Sequence, residues 1–294
     1  MNILLLGANG QVGSALHSLL KNACTLTAAT RQEADFEKPD QLALFIRSLR
    51  PDVIVNAAAY TAVDRAESEP DLAYMINAAA PELLAIEAEK LGATLIHYST
   101  DYVFEGQGQT PWRETDTPNP LSVYGKTKLE GEQKVLQACA KTFILRTSWV
   151  YSAGGHNFLK TILKAARTRE TLEVVDDQVG SPTGADLIAS MTQKIIQRRT
   201  DIEPGVYHLA ASGYVSWCDY ASHIVAKAQR LKPGTLAVRA VTPIKTSERP
   251  SPAPRPSNSR LDTRKLQKAL GCTLPAWQKG VDEVVTQIVK DELL

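Results

Sequence analysis

The sequence predicts an α/β fold, a Rossmann-like doubly wound parallel sheet with a smaller C-terminal lobe, on three observations. Short, nearly continuous apolar runs alternate with helix-length amphipathic segments over the first two thirds of the chain. The first of those runs ends in a glycine-rich turn that leads straight into a helical pattern. After residue 150 the alternation loosens into loop-rich chain.

The apolar runs are Ile3–Leu6, Leu26–Ala29, Val53–Ala58, Thr94–Ser99, Phe143–Thr147 and Leu172–Val175. Gln11–Lys21, Asp71–Leu91 and Ser122–Ala138 carry the helical patterns between them. Strands that are apolar along their whole length need cover on both faces, and right-handed βαβ crossovers supply it. Gly154-Gly155 reads as a loop, Asp176–Gly184 as turn-rich, and Pro243–Pro256, with five prolines, as a surface loop that is neither helix nor central strand. The expected division is a nucleotide-binding domain at 1–150, with segments near 172–212 returning to it, and a lobe built mainly from 151–294.

Composition narrows the partners. The chain has 294 residues, 44% of them apolar and 22% charged, enough for a large core of ordinary globular character. Its net charge of +1 gives no basic excess for a nucleic acid. Arg249, Arg255, Arg260 and Arg264 are the nearest approach to a basic cluster, and four charges suit one phosphorylated small molecule. Cys24, Cys139, Cys218 and Cys272 form no CxxC and read as reduced thiols. The histidines show no HxxxH or HExxH spacing, so no metal site is expected from them. The first apolar run is too short for a signal peptide, and no stretch approaches a membrane span. A cytoplasmic protein with no membrane partner is expected. Lys290-Asp291-Glu292-Leu293 resembles a retention signal but is followed by Leu294, and reads as part of a final amphipathic helix.

The turn Gly7-Ala8-Asn9-Gly10-Gln11-Val12-Gly13 stands between a strand and a helix, where dinucleotide folds hold a pyrophosphate. Glycines there permit positive φ and close backbone approach. Arg31, just past the second strand, stands where a carboxylate would favour NAD; an arginine accommodates a 2′-phosphate. NADPH is therefore the expected cofactor, with NADH left open. Asp35 and Phe36 are placed to bracket the adenine, and the small residues Asn56-Ala57-Ala58-Ala59 end the next strand.

Tyr124 and Lys128 form the only YxxxK in the chain, one helical turn apart on one face. A tyrosine of ordinary pKa, about 10, exchanges protons poorly at neutral pH; a neighbouring ammonium is expected to lower that value and make a usable acid. The pair opens the helix that follows the strand ending in Tyr98-Ser99-Thr100-Asp101, which brings Thr100 within reach of a carbonyl oxygen that Tyr124 would protonate.

Together these residues resemble the extended short-chain dehydrogenases that act on nucleotide sugars. Within them, four strings are similar to the dTDP-4-dehydrorhamnose reductases: Pro51–Ala59, His97–Phe104, Arg146–Tyr151 and Arg255–Leu261. The resemblance implies reduction of the C4 ketone of dTDP-4-dehydro-L-rhamnose to dTDP-L-rhamnose, a precursor of bacterial cell-surface polysaccharide. It implies that Gly10, Gln11 and Val12 hold the pyrophosphate, and that Arg31, Asp35 and Phe36 hold the adenosine side. Ala59, Tyr60 and Thr61 would lie along the cofactor. Tyr124 and Lys128 would be catalytic, and Thr100, Asp101 and Trp149 would contact the sugar. Some members place a carboxylate after the third glycine in a metal-bridged dimer; here Ser14-Ala15 follows Gly13, so magnesium and a homodimer are left open.

Four residues carry two readings each. Trp149 either stacks on the sugar or packs the lobe, and Asn157 either binds a diphosphate or caps a helix. Arg255 and Arg260 either clamp the nucleotide diphosphate or remain surface arginines. Two rival functions compete with the reductase. An epimerase or dehydratase uses the same scaffold, but Asp101 is followed by Tyr102 rather than a second carboxylate. A catalytically silent regulatory subunit would keep the fold, yet Thr100, Tyr124 and Lys128 are all in place.

Overall fold

The computed structural model describes residues 1–291. Its main sheet has six strands: β1 (Asn2–Leu6), β2 (Thr25–Ala29), β3 (Val53–Asn56), β4 (Thr94–Thr100), β5 (Thr142–Thr147) and the strand Gly205–His208. They run in the order Gly205–His208, β5, β4, β3, β1, β2, and every pairing is parallel. Each residue of β3, β4 and β5 is buried, as an all-parallel sheet covered on both faces requires. One face is covered by Leu16 and Leu20 of the helix Gln11–Leu20 and by Ile188 and Ile195 of the helix Ala185–Arg198. The other takes Leu42 and Ile46 from Pro39–Leu49, Leu84 and Ala88 from Ala80–Leu91, and Val135 from Val123–Ala138. The strand order reverses between β1 and β3, and the crevice outside their carboxyl ends is where such sheets bind ligands.

Two expectations change. The run at 172–175 does not join this sheet: Thr171–Val175 pairs with Ala240–Ile244 in a separate parallel pair. The sixth strand is Gly205–His208, whose four residues are too few for periodicity to announce. Pro243, assigned to a loop, lies within Ala240–Ile244 opposite Val174; a two-stranded ribbon has an open edge where a missing N–H costs no ladder bond.

The second core gathers aromatic and aliphatic side chains: Tyr151, Leu159, Leu163, Tyr220, Ile224, Trp277 and Val281. They come from the helices Phe158–Ala166, Trp217–Leu231 and Trp277–Lys290 and from the short strand Val150–Tyr151. Within the sequence Lys290-Asp291-Glu292-Leu293, the helix ends at Lys290, and Glu292 onward lies outside the described residues. The four cysteines carry free thiols. Among the described residues no helix is long and apolar enough to cross a membrane.

Candidate active site

At the end of β1 the chain turns on Gly7, whose φ is +76°. A Cβ there would meet the Ala58 nitrogen at 2.6 Å, and one on Gly13 would meet the Gly7 oxygen at 2.0 Å. Both positions therefore require glycine, which draws the turn tight against the end of β3 and the helix against the turn. The first helical bond runs from Ser14 N–H to Gly10 O at 2.8 Å, so the N–H groups of Gln11, Val12 and Gly13 have no helical acceptor. No side chain caps this end. A helix N-terminus built this way attracts an anion.

A cleft of about 380 Å³ opens beside the turn, lined by Gly7, Gly10, Arg31, Asp35, Phe36 and Ala57–Ala62 among others. Of the residues expected at the cofactor, Gly7, Gly10, Arg31, Asp35, Phe36, Ala59, Tyr60 and Thr61 thus share one cavity. Gln11, Val12 and Gly13 do not line it. The Gln11 side chain turns to the second lobe, where its Oε1 accepts from Ser152 Oγ at 3.1 Å and Asn157 Nδ2 at 2.8 Å. Val12 packs against the core. Arg31 is 70% exposed in its side chain and pairs with Glu37, with Asp35 a further 3.6 Å contact.

Thr100 ends β4 and Tyr124 begins the helix Val123–Ala138, whose start is set by Ser122 accepting the Gly125 N–H at 3.1 Å. Thr100 is thus a neighbour of the Tyr124 phenol and acts on its proton affinity. Burial of the phenol pushes Tyr124 above the ordinary tyrosine range, opposed by Thr100 and reinforced by Asp101 and Tyr102. The expected lowering by Lys128 is thus corrected. The lysine Nζ is drawn to the floor of the helix, donating to Tyr98 O at 2.6 Å and lying 3.3 Å from His97 Nε2. Burial, opposed by Glu132, brings Lys128 down to about 8.

Asp101 is buried beside them. Its Oδ1 accepts from Thr100 Oγ1 at 3.1 Å, and its Oδ2 has no protein partner. Burial raises its carboxyl to about 6, opposed by Ser259 and Thr100. Tyr102 meets Tyr124 edge to face at 5.6 Å and accepts from Arg255 Nη1 at 3.2 Å. The other guanidinium nitrogen of Arg255 pairs with Asp64 at 2.8 Å. Arg260 instead bonds Asn258 Oδ1 at 3.0 Å and lies over the Tyr214 ring. The two arginines hold separate partners, so they do not form the expected paired clamp; Arg255 alone stands next to the tyrosines.

Trp149 has φ +50° and stacks on Trp217 with centroids 3.5 Å apart and rings 11° from parallel. One ring face is therefore taken by the lobe, which favours packing over a sugar platform. Asn157 caps the helix Phe158–Ala166 by accepting the Lys160 N–H at 3.1 Å, and its amide nitrogen donates to Gln11 and to Ser152 O. With both ends of its amide held by protein, Asn157 is a cap and a bridge rather than a diphosphate ligand.

Three residues of this neighbourhood were given no role of their own from the sequence. His97 and Asn56 lie under Lys128, and Asn77 lies in a π-helical turn, Met75–Ala79. Asn77 accepts the Tyr60 N–H at 2.8 Å and donates to Tyr60 O at 3.1 Å, which fixes the floor of the cleft. An asparagine ending a strand and a histidine inside an apolar run were the available signals. Among the described residues, no three of His, Cys, Asp and Glu group as metal ligands.

Known proteins resemble this chain along nearly its whole length. The model of the RmlD substrate binding domain matches residues 1–290. A dTDP-4-dehydrorhamnose reductase of Escherichia coli K12 is 48% identical over 296 residues, covering 98% of each chain. The crystal structure of a dTDP-4-dehydrorhamnose reductase from Clostridium acetobutylicum superposes with a TM-score of 0.91 at 39% identity, over 98% of this chain and 99% of that one. The Bacillus anthracis enzyme of the same name, solved in complex with NADP, gives 0.90 at 34% identity over 97% and 99%. The chain belongs to the RmlD substrate binding domain family.

Proposed function

We propose that this enzyme reduces the C4 ketone of dTDP-4-dehydro-L-rhamnose to the alcohol of dTDP-L-rhamnose with NADPH, acting in the cytoplasm. The observation that carries the reading is the juxtaposition of Thr100 and Tyr124 at the carboxyl end of β4, with the buried Lys128 one turn along the same helix as the tyrosine. The nicotinamide cofactor, when bound, supplies the hydride that reaches the ketone carbon. Tyr124 supplies the proton to the oxygen, and a phenol held in its protonated form by burial suits a donor in the reductive direction. Thr100 offers the second hydroxyl to that oxygen. Gly7, Gly10 and the N–H groups at the start of the first helix would hold the pyrophosphate, with Arg31 at the 2′-phosphate and Asp35 and Phe36 toward the adenine. Ala59, Tyr60 and Thr61 would follow the ribose. Asp101, at the end of β4, and Arg255, from the substrate-binding lobe of residues 151–294, would face the nucleotide sugar.

The test is to purify the protein, add NADPH with dTDP-4-dehydrorhamnose, and follow NADPH absorbance. Oxidation of one NADPH per sugar reduced is the expected result. Sugar conversion without net oxidation would move the chain to the epimerases or dehydratases, and no conversion of any nucleotide sugar would end the enzymatic reading.

A further inference from the structure

The face of the sheet under the helix Val123–Ala138 carries a row of buried polar side chains, among them Asn56, His97 and Arg146. His97 is 1% exposed and takes no part in the chemistry above. Its Nδ1 lies 3.0 Å from Asn56 Nδ2, and its Nε2 lies 3.3 Å from Lys128 Nζ. The Asn56 amide is not free to turn over, because its Oδ1 accepts the Ala58 N–H at 3.1 Å. The NH₂ end therefore faces the imidazole. An amide NH₂ only donates, so Nδ1 must accept, and a neutral ring then carries its proton on Nε2. Burial first, and the adjacent lysine second, keep the ring neutral by holding it well below the ordinary histidine range.

We propose that His97 is a positioning residue for the catalytic lysine: locked in the Nε2–H tautomer by Asn56, it presents an N–H rather than a lone pair to the Lys128 amine. The proposal rests on the reading of Lys128 as catalytic. Against an ammonium, this places donor against donor; against a neutral amine, the ring N–H finds a lone pair. The Tyr98 carbonyl accepts from either form at 2.6 Å and holds the nitrogen in place. His97 thus loosens the lysine's hold on its proton in the same direction as burial does. The remaining ionisable groups around the lysine are Glu132, one turn along the helix and opposing, and Tyr124, one turn before it. Glu132 is itself paired with Arg146 of β5 at 2.6 Å. The chain of bonds starts at Ala58, in the wall of the cofactor cleft, so the backbone of that cleft dictates the tautomer under the lysine.

Two measurements test this. In the intact protein, ¹⁵N NMR of the ring nitrogens separates the tautomers, and only five histidines need assignment. Protonated Nε2 and bare Nδ1 at His97 at neutral pH are expected; the opposite tautomer, or a cationic ring, overturns the proposal. In His97→Gln the side-chain carbonyl can turn to the ammonium and stabilise it. The alkaline limb of kcat, set by Lys128 because Tyr124 is pushed far above it, should then move up by about one pH unit or more. An unmoved limb in the folded variant overturns the proposal. If His97→Gln does not fold, the tautomer in the wild type decides alone. A wild type that turns over no nucleotide sugar ends the reductase reading, while the ring tautomer still decides this one.

Discussion

The side-chain amides of Gln11 and Asn157 stand 146 residues apart in sequence and meet at 2.8 Å. Gln11 opens the helix that follows the glycine turn, and Asn157 caps the helix Phe158–Ala166 of the second lobe. Replacing Asn157 with alanine removes the cap and the bridge together. A cap contributes about 1 kcal/mol, so Asn157→Ala should cost at least that in denaturant unfolding. Gln11→Ala should cost less, and the double variant should fall short of the sum by about 0.5–1.5 kcal/mol, the contribution of one hydrogen bond. Strict additivity would mean that the bridge contributes nothing to stability.

Tyr124→Phe removes the proposed proton donor and leaves the cofactor cleft untouched. Turnover should fall on the order of 10²-fold or more, while the dissociation constant for NADPH stays near that of the wild type. Near-normal turnover with cofactor bound would remove Tyr124 from the mechanism.

Arg31 lines the cleft but shares its charge with Glu37 and Asp35. Arg31→Ala should raise KM for NADPH several-fold and KM for NADH much less. The effect belongs at or below the lower end of the about 1.5–3 kcal/mol typical of charge-assisted bonds, because the side chain is exposed and screened. Glu37→Gln should act in the opposite direction by releasing the guanidinium. Equal changes for both cofactors would assign Arg31 a structural role.

Asp101 links stability to pH. Its folded carboxyl titrates near 6 against an ordinary 3.8, so the folded state binds a proton that the unfolded chain has released. That stabilisation is complete below about pH 4 and is lost as pH rises through 6, about 3 kcal/mol at most for a shift of roughly two units. Asp101→Asn keeps the Oδ1 acceptor and removes the titration. The variant should melt higher than the wild type at pH 7.5 and alike at pH 4, whatever happens to its activity. A constant offset in melting temperature across that range would contradict the raised carboxyl.

The parallel sheet and the turn were legible because their signals are local. A strand buried on both faces must be apolar along its length, and Gly7 and Gly13 stand where any Cβ would strike backbone. The spacing of Tyr124 and Lys128 put both on one helix, one turn apart. What the spacing could not carry was the direction in which each side chain leans. Lys128 reaches down to Tyr98 O rather than along the helix to Tyr124, and the His97 it meets there is held by Asn56 only because β3 and β4 are neighbours in register. The arginines illustrate the same limit. Arg255 and Arg260 are five residues apart in sequence, yet one finds Asp64 and Tyr102 and the other Asn258 and Tyr214.

The stacked indoles of Trp149 and Trp217 give the second lobe an optical signature of its own. Two rings 3.5 Å apart and nearly parallel couple their electronic transitions, producing a paired circular-dichroism band that neither ring shows alone. Trp149 enters from the end of the parallel sheet and Trp217 from the helix Trp217–Leu231, so that band exists only while the two parts of the molecule are docked. Its disappearance ahead of the helical signal during unfolding would time their separation, with no label attached to the protein.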